Sequence, residues 1–335
     1  NDVRAHSVEH KLGIHASPTC TMVYGDNGGA VGFLIGEEHK GMAAMFTMMN
    51  RARLAVGLQG VAIAERATQQ AMAYARDRKQ MGRAIIDYPD VKRMLLTMRA
   101  MTGAARAICF AMGVALDRSL RGKTEAARQA AHERASLLTP IAKAFSTDIG
   151  IEVASLGVQV HGGMGFIEET GAAQHFRDAR IAAIYEGTNG IQAIDLVTRK
   201  LPLDGGKTIA RYISELRAIV KAVKESNAPT FGETAARLAE AVDSFERATQ
   251  WLLAQKSSEA ALAGATPFLR MFGNAAGGCM LADQALVALR GGDGASRTAL
   301  ARYFAENIAV QASGLERSVV EGAESINNAQ AALDS

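Results

Sequence analysis

The sequence predicts a mainly α-helical protein, and three observations carry that reading. Residues 45–78 contain no proline, and Leu54, Leu58, Val61, Ala64, Ala71 and Ala75 recur there at spacings of three, four or seven, the repeat of one helix face. A second stretch opens at Tyr88-Pro89-Asp90 and sets Val91, Met94, Leu95, Met98 and Met101 on one side. Aromatic residues make up only 5% while Ala, Gly, Leu and Met abound, which favours close-packed helices over an aromatic-rich β-sandwich.

Residues 1–37 are the exception. Segments 19–24 and 30–35 are rich in β-formers and flank Gly25-Asp26-Asn27-Gly28-Gly29, which predicts a hairpin. Two or three strands leave their faces without partners, so this piece is expected to be the end of a sheet that begins outside the chain. Gly122-Lys123 ends the second helix and a polar helix follows. Thr139-Pro140 offers an N-cap followed by proline at the first helical position, so a new helix is expected to start there and run to His161. Gly162-Gly163 stops it, a loop reaches residue 187, and a short helix covers 188–200. Residues 201–206 form a linker. Three or four further amphipathic helices follow, one with Leu238, Val242, Phe245 and Leu252, another with Leu300, Tyr303, Phe304 and Ile308.

A chain of 335 residues can bury a substantial core. Its 37 basic and 34 acidic side chains nearly balance, which argues against a nucleic-acid surface. Cys20, Cys109 and Cys279 stand far apart, without the spacing of a disulfide framework or a zinc site, and fit a reducing compartment. No apolar run of about 18 residues suggests a membrane span. The opening Asn1-Asp2-Val3-Arg4 has neither an initiator Met nor a signal-peptide pattern, so a fragment of something longer is expected.

Several local patterns fail on inspection. His132-Glu133-Arg134-Ala135-Ser136 begins like a zinc-protease helix, but Ser136 stands where the second His is required. Gly206-Lys207-Thr208 resembles the end of a phosphate loop, yet position 201 is Leu where that loop needs Gly. No GxSxG occurs. No metal site is expected.

Residues 159–192 differ in kind. Gln159-Val160-His161-Gly162-Gly163-Met164-Gly165 has glycines that let backbone approach a bulky ligand. Glu186 is a single carboxylate after the apolar run Ile181 to Tyr185, directly before Gly187 and a helix start. Apolar surroundings are expected to strengthen such a base in a bound complex. The same pattern also fits a plain turn, with Glu186 favoured at a helix N-terminus by the macrodipole.

Ile184-Tyr185-Glu186-Gly187-Thr188-Asn189-Gly190-Ile191-Gln192 resembles the segment around the catalytic glutamate of acyl-CoA dehydrogenases. The 159–166 turn, Arg177-Asp178-Ala179, the 74–82 segment (with Met81 in place of the usual aromatic), Arg53 and the 11–20 segment are similar to that family's motifs, in its order, over residues 1–200. Residues 267–278 resemble the extra C-terminal helical domain of a longer subgroup. The resemblance implies the acyl-CoA dehydrogenase C-terminal helical bundle (41–200), preceded by the end of a β domain (1–40) and followed by an additional helical domain (201–335).

It further implies FAD, held between the subunits of a homodimer or homotetramer, and an acyl-CoA substrate converted to a trans-2-enoyl-CoA. Glu186 would take the α-proton as a hydride leaves the β-carbon, and its backbone N–H would polarise the thioester carbonyl. Arg78 would meet the FAD pyrophosphate of a neighbouring subunit, flanked by Gln80 and Met81. Gln159, Gly162 and Gly163 would approach the adenosine-diphosphate part of the same cofactor, and Thr188 would contact FAD from the helix start. Arg53 would shape the active-site floor, while Tyr185 and Gly187 border the acyl chain. Gly190 stands where many relatives have Gln, which removes one polar contact. Some relatives carry the base on the helix at Arg53, where this chain has Ala52 and no neighbouring carboxylate. Electron-transfer flavoprotein is the expected acceptor, with oxygen, as in acyl-CoA oxidases, as the alternative. A non-catalytic DNA- or protein-binding relative, or a pure oligomerisation module, is the reading from another class. Bacterial cytoplasm is the expected compartment, with mitochondrial matrix as the alternative.

Overall fold

A computed structural model describes residues 1–255 and 258–334. Strands β1 (Val3–Val8) and β2 (Cys20–Tyr24) pair antiparallel, with Val3 opposite Tyr24 and an irregularity between Ala5 and Ser7. The expected hairpin between 19–24 and 30–35 does not form. The Gly25 N–H donates to the Asp2 carbonyl and the Asn27 N–H to the Asp2 carboxylate, which turns the loop onto β1. Residues 30–35 then run on without a ladder, leaving Phe33 and Ile35 about as exposed as side chains can be.

Three long helices make the frame. Helix α1 (Gly41–Asp77) ends in a two-residue hairpin, β3 (Lys79–Gln80) and β4 (Arg83–Ala84), turned by Met81 and Gly82 with φ of 48° and 85°. Two left-handed residues are what such a tight turn requires. Helix α2 (Pro89–Arg121) begins with proline in its first turn, as its sequence predicts. Its most apolar 18-residue window has a mean hydropathy of 1.3, long and apolar enough by composition to cross a membrane. More than half of that window is buried inside the protein, against α1 and the helices that follow.

Helix α3 (Glu125–His161) corrects the expected start at Thr139-Pro140, because the polar helix and its successor are one rod. Its cap is Thr124, whose hydroxyl accepts from the Ala127 N–H at 3.2 Å. Pro140 sits inside the helix, where it removes one backbone bond. Thr139 instead bonds the Ala135 carbonyl at 2.7 Å, and Leu137, Leu138 and Ile141 are fully buried around it. Packing on three sides outweighs the local break. α1 and α3 touch almost backbone to backbone: a Cβ added at Gly60 would lie 2.4 Å from the Ser146 carbonyl oxygen.

The expected loop after residue 163 is more ordered than its sequence suggests. It holds 3-10 turns at Gly162–Phe166, Glu168–Thr170 and Arg180–Ala183, and helix α4 (Ala172–Ala179). The Asp178 carboxylate accepts from the Ile14 N–H at 2.6 Å, fastening the N-terminal segment to α4. Helix α5 (Asn189–Asp195) continues as a π-helical turn over Leu196–Lys200.

Past a turn at Leu203–Gly206 come α6 (Lys207–Glu225), α7 (Thr234–Gln255), α8 (Glu259–Ala263), α9 (Ala265–Arg290), α10 (Ala295–Asn307), α11 (Ala312–Val320), α12 (Ala323–Asn327) and α13 (Gln330–Leu333). Helix α9 is the axis of this half, with Phe268, Phe272 and Cys279 fully buried. Its small-residue face meets α2 and α3: a Cβ at Gly273 would lie 2.1 Å from the Phe145 ring. One apolar core therefore runs unbroken from α1–α3 through α9 to α11.

Candidate active site and cofactor groove

The turn from Tyr185 to Thr188 is built on consecutive left-handed residues, Glu186 at φ 56° and Gly187 at φ 84°. A glutamate held there stores about 1–3 kcal/mol of backbone strain, which the surroundings must offset. Glycine suits the next position, because φ is left-handed there and a Cβ would also lie 2.8 Å from the Gln192 side-chain nitrogen. Thr188 caps α5, its hydroxyl accepting from the Ile191 N–H at 3.3 Å.

The surroundings that hold the turn come from three helices. From α3, the fully buried Lys143 donates to the Gly187 carbonyl at 2.8 Å and to the Asn189 side-chain oxygen at 2.9 Å. Asn189 in turn donates to the Asp148 carboxylate at 2.7 Å and to the Thr147 hydroxyl at 3.0 Å. From α5, the buried Gln192 amide approaches the carbonyls of Glu186 and Gly187 at 3.5 and 3.4 Å. From α1, Arg53 pairs with Asp195 at 3.7 Å, both side chains more than nine-tenths buried. Sequence proximity shows no carboxylate beside Arg53, but folding brings this one to it from 142 positions away. The Asp195 carboxylate also accepts from Arg199.

One Glu186 carboxylate oxygen, Oε2, is buried with no hydrogen-bond partner. Arg53 Nε, Gln192 Oε1 and Asp195 Oδ2, around the same turn, are buried without a hydrogen-bond partner as well, and each such group left unsatisfied costs about 1–3 kcal/mol. Tyr185 donates its hydroxyl to Gln59, and burial raises its pKa. Ile184, Ile191 and Ile194 leave exposed apolar surface around the turn. Burial lowers the Lys143 pKa to about 8, against the opposing pull of Asp148. Burial likewise raises that of Asp148, tempered by its bond from Asn189.

The other predicted residues assemble elsewhere. Arg78, Gln80, Gln159, Gly162 and Gly163 line one groove of about 540 Å³, between the hairpin after α1 and the end of α3. Its wall is set by Tyr74 stacked on His161 at 4.4 Å, with His161 Nδ1 2.7 Å from the Gly157 carbonyl, and by the Tyr88 hydroxyl donating to the Gln80 carbonyl at 2.8 Å. Gly162 has φ 59°, and a Cβ added at Gly162 or Gly163 would meet nothing within 4 Å. Bare glycine backbone, a guanidinium and two amides facing an open groove suit a diphosphate-bearing ligand. Met81 lies outside this lining, at the hairpin tip and 91% exposed. Thr188 belongs to the Glu186 turn.

The discarded patterns have structural work instead. Glu133 accepts from Arg211 and Thr208, and the Asp204 carboxylate accepts from the Thr208 N–H at 2.8 Å, taking the place an anion would need.

The family pattern for the acyl-CoA dehydrogenase C-terminal domain matches residues 39–201, and one described as acetyl-CoA dehydrogenase C-terminal like matches 212–330. The chain belongs to the acyl-CoA dehydrogenase family and carries its C-terminal helical region. Among named relatives, it is 46% identical to 3-methylmercaptopropionyl-CoA dehydrogenase of Ruegeria pomeroyi, over 97% of this chain and 58% of that protein. Caenorhabditis elegans ACDH-11 in complex with C11-CoA superposes with a TM-score of 0.78 at 20% identity, over 96% of this chain and 54% of that one. The Bacillus anthracis acyl-CoA dehydrogenase complexed with FAD gives 0.74 at 20% identity, over 99% and 59%. These two likenesses show the fold. The chain spans little more than half the length of each of the three.

Proposed function

We propose that this chain provides the base and part of the cofactor groove of an FAD-dependent enzyme that oxidises an acyl-CoA thioester to its trans-2-enoyl-CoA. The observation that carries the reading is the buried, unpartnered Glu186 Oε2, presented on a left-handed turn beside exposed apolar surface. Glu186 takes the α-proton: the Cα–H pair moves into the new C=C bond and the proton ends on the carboxylate. The backbone N–H of Glu186 polarises the thioester carbonyl as negative charge develops there. Tyr185, Gly187 and Arg53 border the reacting end of the acyl chain.

When bound, FAD supplies the two-electron acceptor for the hydride that leaves the β-carbon. Arg78, Gln80, Gln159, Gly162 and Gly163 hold its diphosphate end, with Met81 flanking, and Thr188 meets it from the start of α5. Lys143 and Gln159 are 16 residues apart on one helix, about 24 Å at 1.5 Å per residue. That separation supports an arrangement in which the groove serves the cofactor of a second subunit in a homodimer or homotetramer. The reading extends to electron-transfer flavoprotein as acceptor and, from the bacterial relative, to a bacterial cytoplasmic setting.

The test is Glu186→Gln in the intact protein, assayed on a panel of acyl-CoA thioesters with a dye acceptor. Full FAD content with dehydrogenation abolished is the expected result, and retained turnover would move the base elsewhere. Peroxide formed without any transfer flavoprotein would replace the dehydrogenase assignment by an oxidase.

A further inference from the structure

Lys143 is the least expected side chain in the core. It is the largest fully buried residue, it lies mid-helix among Ile141, Ala142, Ala144 and Phe145, and a lysine there serves no packing purpose that leucine or methionine would not. Its ammonium has two named acceptors, and neither belongs to its own helix: the Gly187 carbonyl and the Asn189 side-chain oxygen. Gly187 follows the base, and Asn189 is the first residue of α5. The ammonium thus grips the turn on both sides of Thr188, from the protein interior.

We propose that Lys143 is a positioning residue for the base, pinning the Glu186-Gly187 turn in its left-handed conformation so that the carboxylate stands where an α-proton is delivered. The proposal rests on the reading of Glu186 as the base. Nothing in the neutral part of the network can replace this grip. Gln192 reaches the same carbonyls only at 3.4–3.5 Å, at the edge of hydrogen-bonding distance, and Thr147 bonds Asn189 without touching the turn's backbone. With the ammonium gone, the strained glutamate can relax toward ordinary backbone angles. A displacement of about 1 Å at a catalytic group can cost on the order of 100-fold in rate.

The experiment uses the intact, FAD-loaded protein and reads proton abstraction directly, as exchange of the α-hydrogen of a non-oxidisable 3-thia-acyl-CoA with D2O. Lys143→Met, of similar length and apolar, is expected to slow exchange and kcat together by about 10- to 100-fold. FAD content should stay full, and KM should stay within about threefold because the acyl and CoA contacts are untouched. Lys143→Arg, which keeps a cationic donor, is expected to recover part of the loss. Exchange at the parent rate in Lys143→Met, while Glu186→Gln abolishes it, would overturn the positioning role and leave the base assignment standing. Exchange that survives Glu186→Gln would overturn both. If Lys143→Met yields no folded protein, Asn189→Ala removes one of the two acceptors, and about tenfold slower exchange is expected. Parent-rate exchange in that variant overturns the proposal.

Discussion

Arg53 and Asp195 form an ion pair at 3.7 Å with both side chains more than nine-tenths buried, beneath the turn that carries Glu186. Breaking a buried pair from one side leaves the other charge uncompensated. Asp195→Ala is therefore expected to destabilise the protein by about 3–5 kcal/mol, read as a lower urea midpoint. The exposed pair of Arg93 with Asp90 on α2 is the control, where Asp90→Ala should change stability by less than about 1 kcal/mol.

Gly187→Ala combines two penalties, a left-handed φ and a Cβ 2.8 Å from the Gln192 amide. The amide is the end of a flexible side chain and can give way, so the stability loss should stay near 1–3 kcal/mol. Activity should fall by about 100-fold or more, because alanine is strained at this left-handed φ and the Gln192 amide that approaches the turn's carbonyls must move aside. Steady-state kinetics beside a thermal melt separate the two effects. A variant that loses stability and keeps kcat would show that the turn's geometry is irrelevant to turnover.

In the groove, Arg78→Ala removes the one guanidinium among the predicted FAD contacts that line it. Charge-assisted hydrogen bonds contribute about 1.5–3 kcal/mol, so FAD should bind the intact protein some 10- to 100-fold more weakly. Titration of apoprotein with FAD measures it directly, with no substrate present. Unchanged affinity would place the diphosphate elsewhere.

Lys143 also predicts a pH dependence of stability. Burial depresses its pKa to about 8 in the folded protein, whereas an unfolded lysine holds its proton to about 10.4. Between those values the unfolded chain binds the extra proton, so this group makes stability rise with pH across roughly pH 8 to 10.4, and its contribution is lost as pH falls through 8. Urea midpoints of wild type and Lys143→Met, compared from pH 7 to 10, isolate it from the other titrating groups. The wild-type curve should gain on the variant as pH rises, and parallel curves would contradict the buried cation.

The helical frame was legible because its signals are local and agree with one another. Pro89 in a first turn, the apolar stripe of α2 and the glycines after His161 each specify their element without reference to anything distant. Thr139-Pro140 misled because a capping pair and an interior proline look the same until the burial of Leu137 and Ile141 decides between them. The strand pairing misled for a related reason: the glycine-rich loop advertises a hairpin, and the Asp2 hydrogen bonds that redirect it come from 23 and 25 residues upstream. At the site, Glu186 and its glycine stand out in sequence, as does the glycine turn at 162–163. Lys143, Gln192 and Asp195 do not, since a lone lysine in an apolar helix ordinarily reads as a side chain reaching for solvent. The available signal was its spacing, five residues before Asp148 and with no other charge from Ala135 to Thr147.

Because α3 is a single rod through Pro140, it works as a ruler. One end of the interval sits under Glu186 and the other forms the wall of the groove, so the distance between them is fixed by a count of peptide units. Inserting one residue between Lys143 and Gln159 would lengthen the interval by only about 1.5 Å but swing the far end by roughly 100°. Such an insertion would leave each half-site intact in isolation and out of phase with the other.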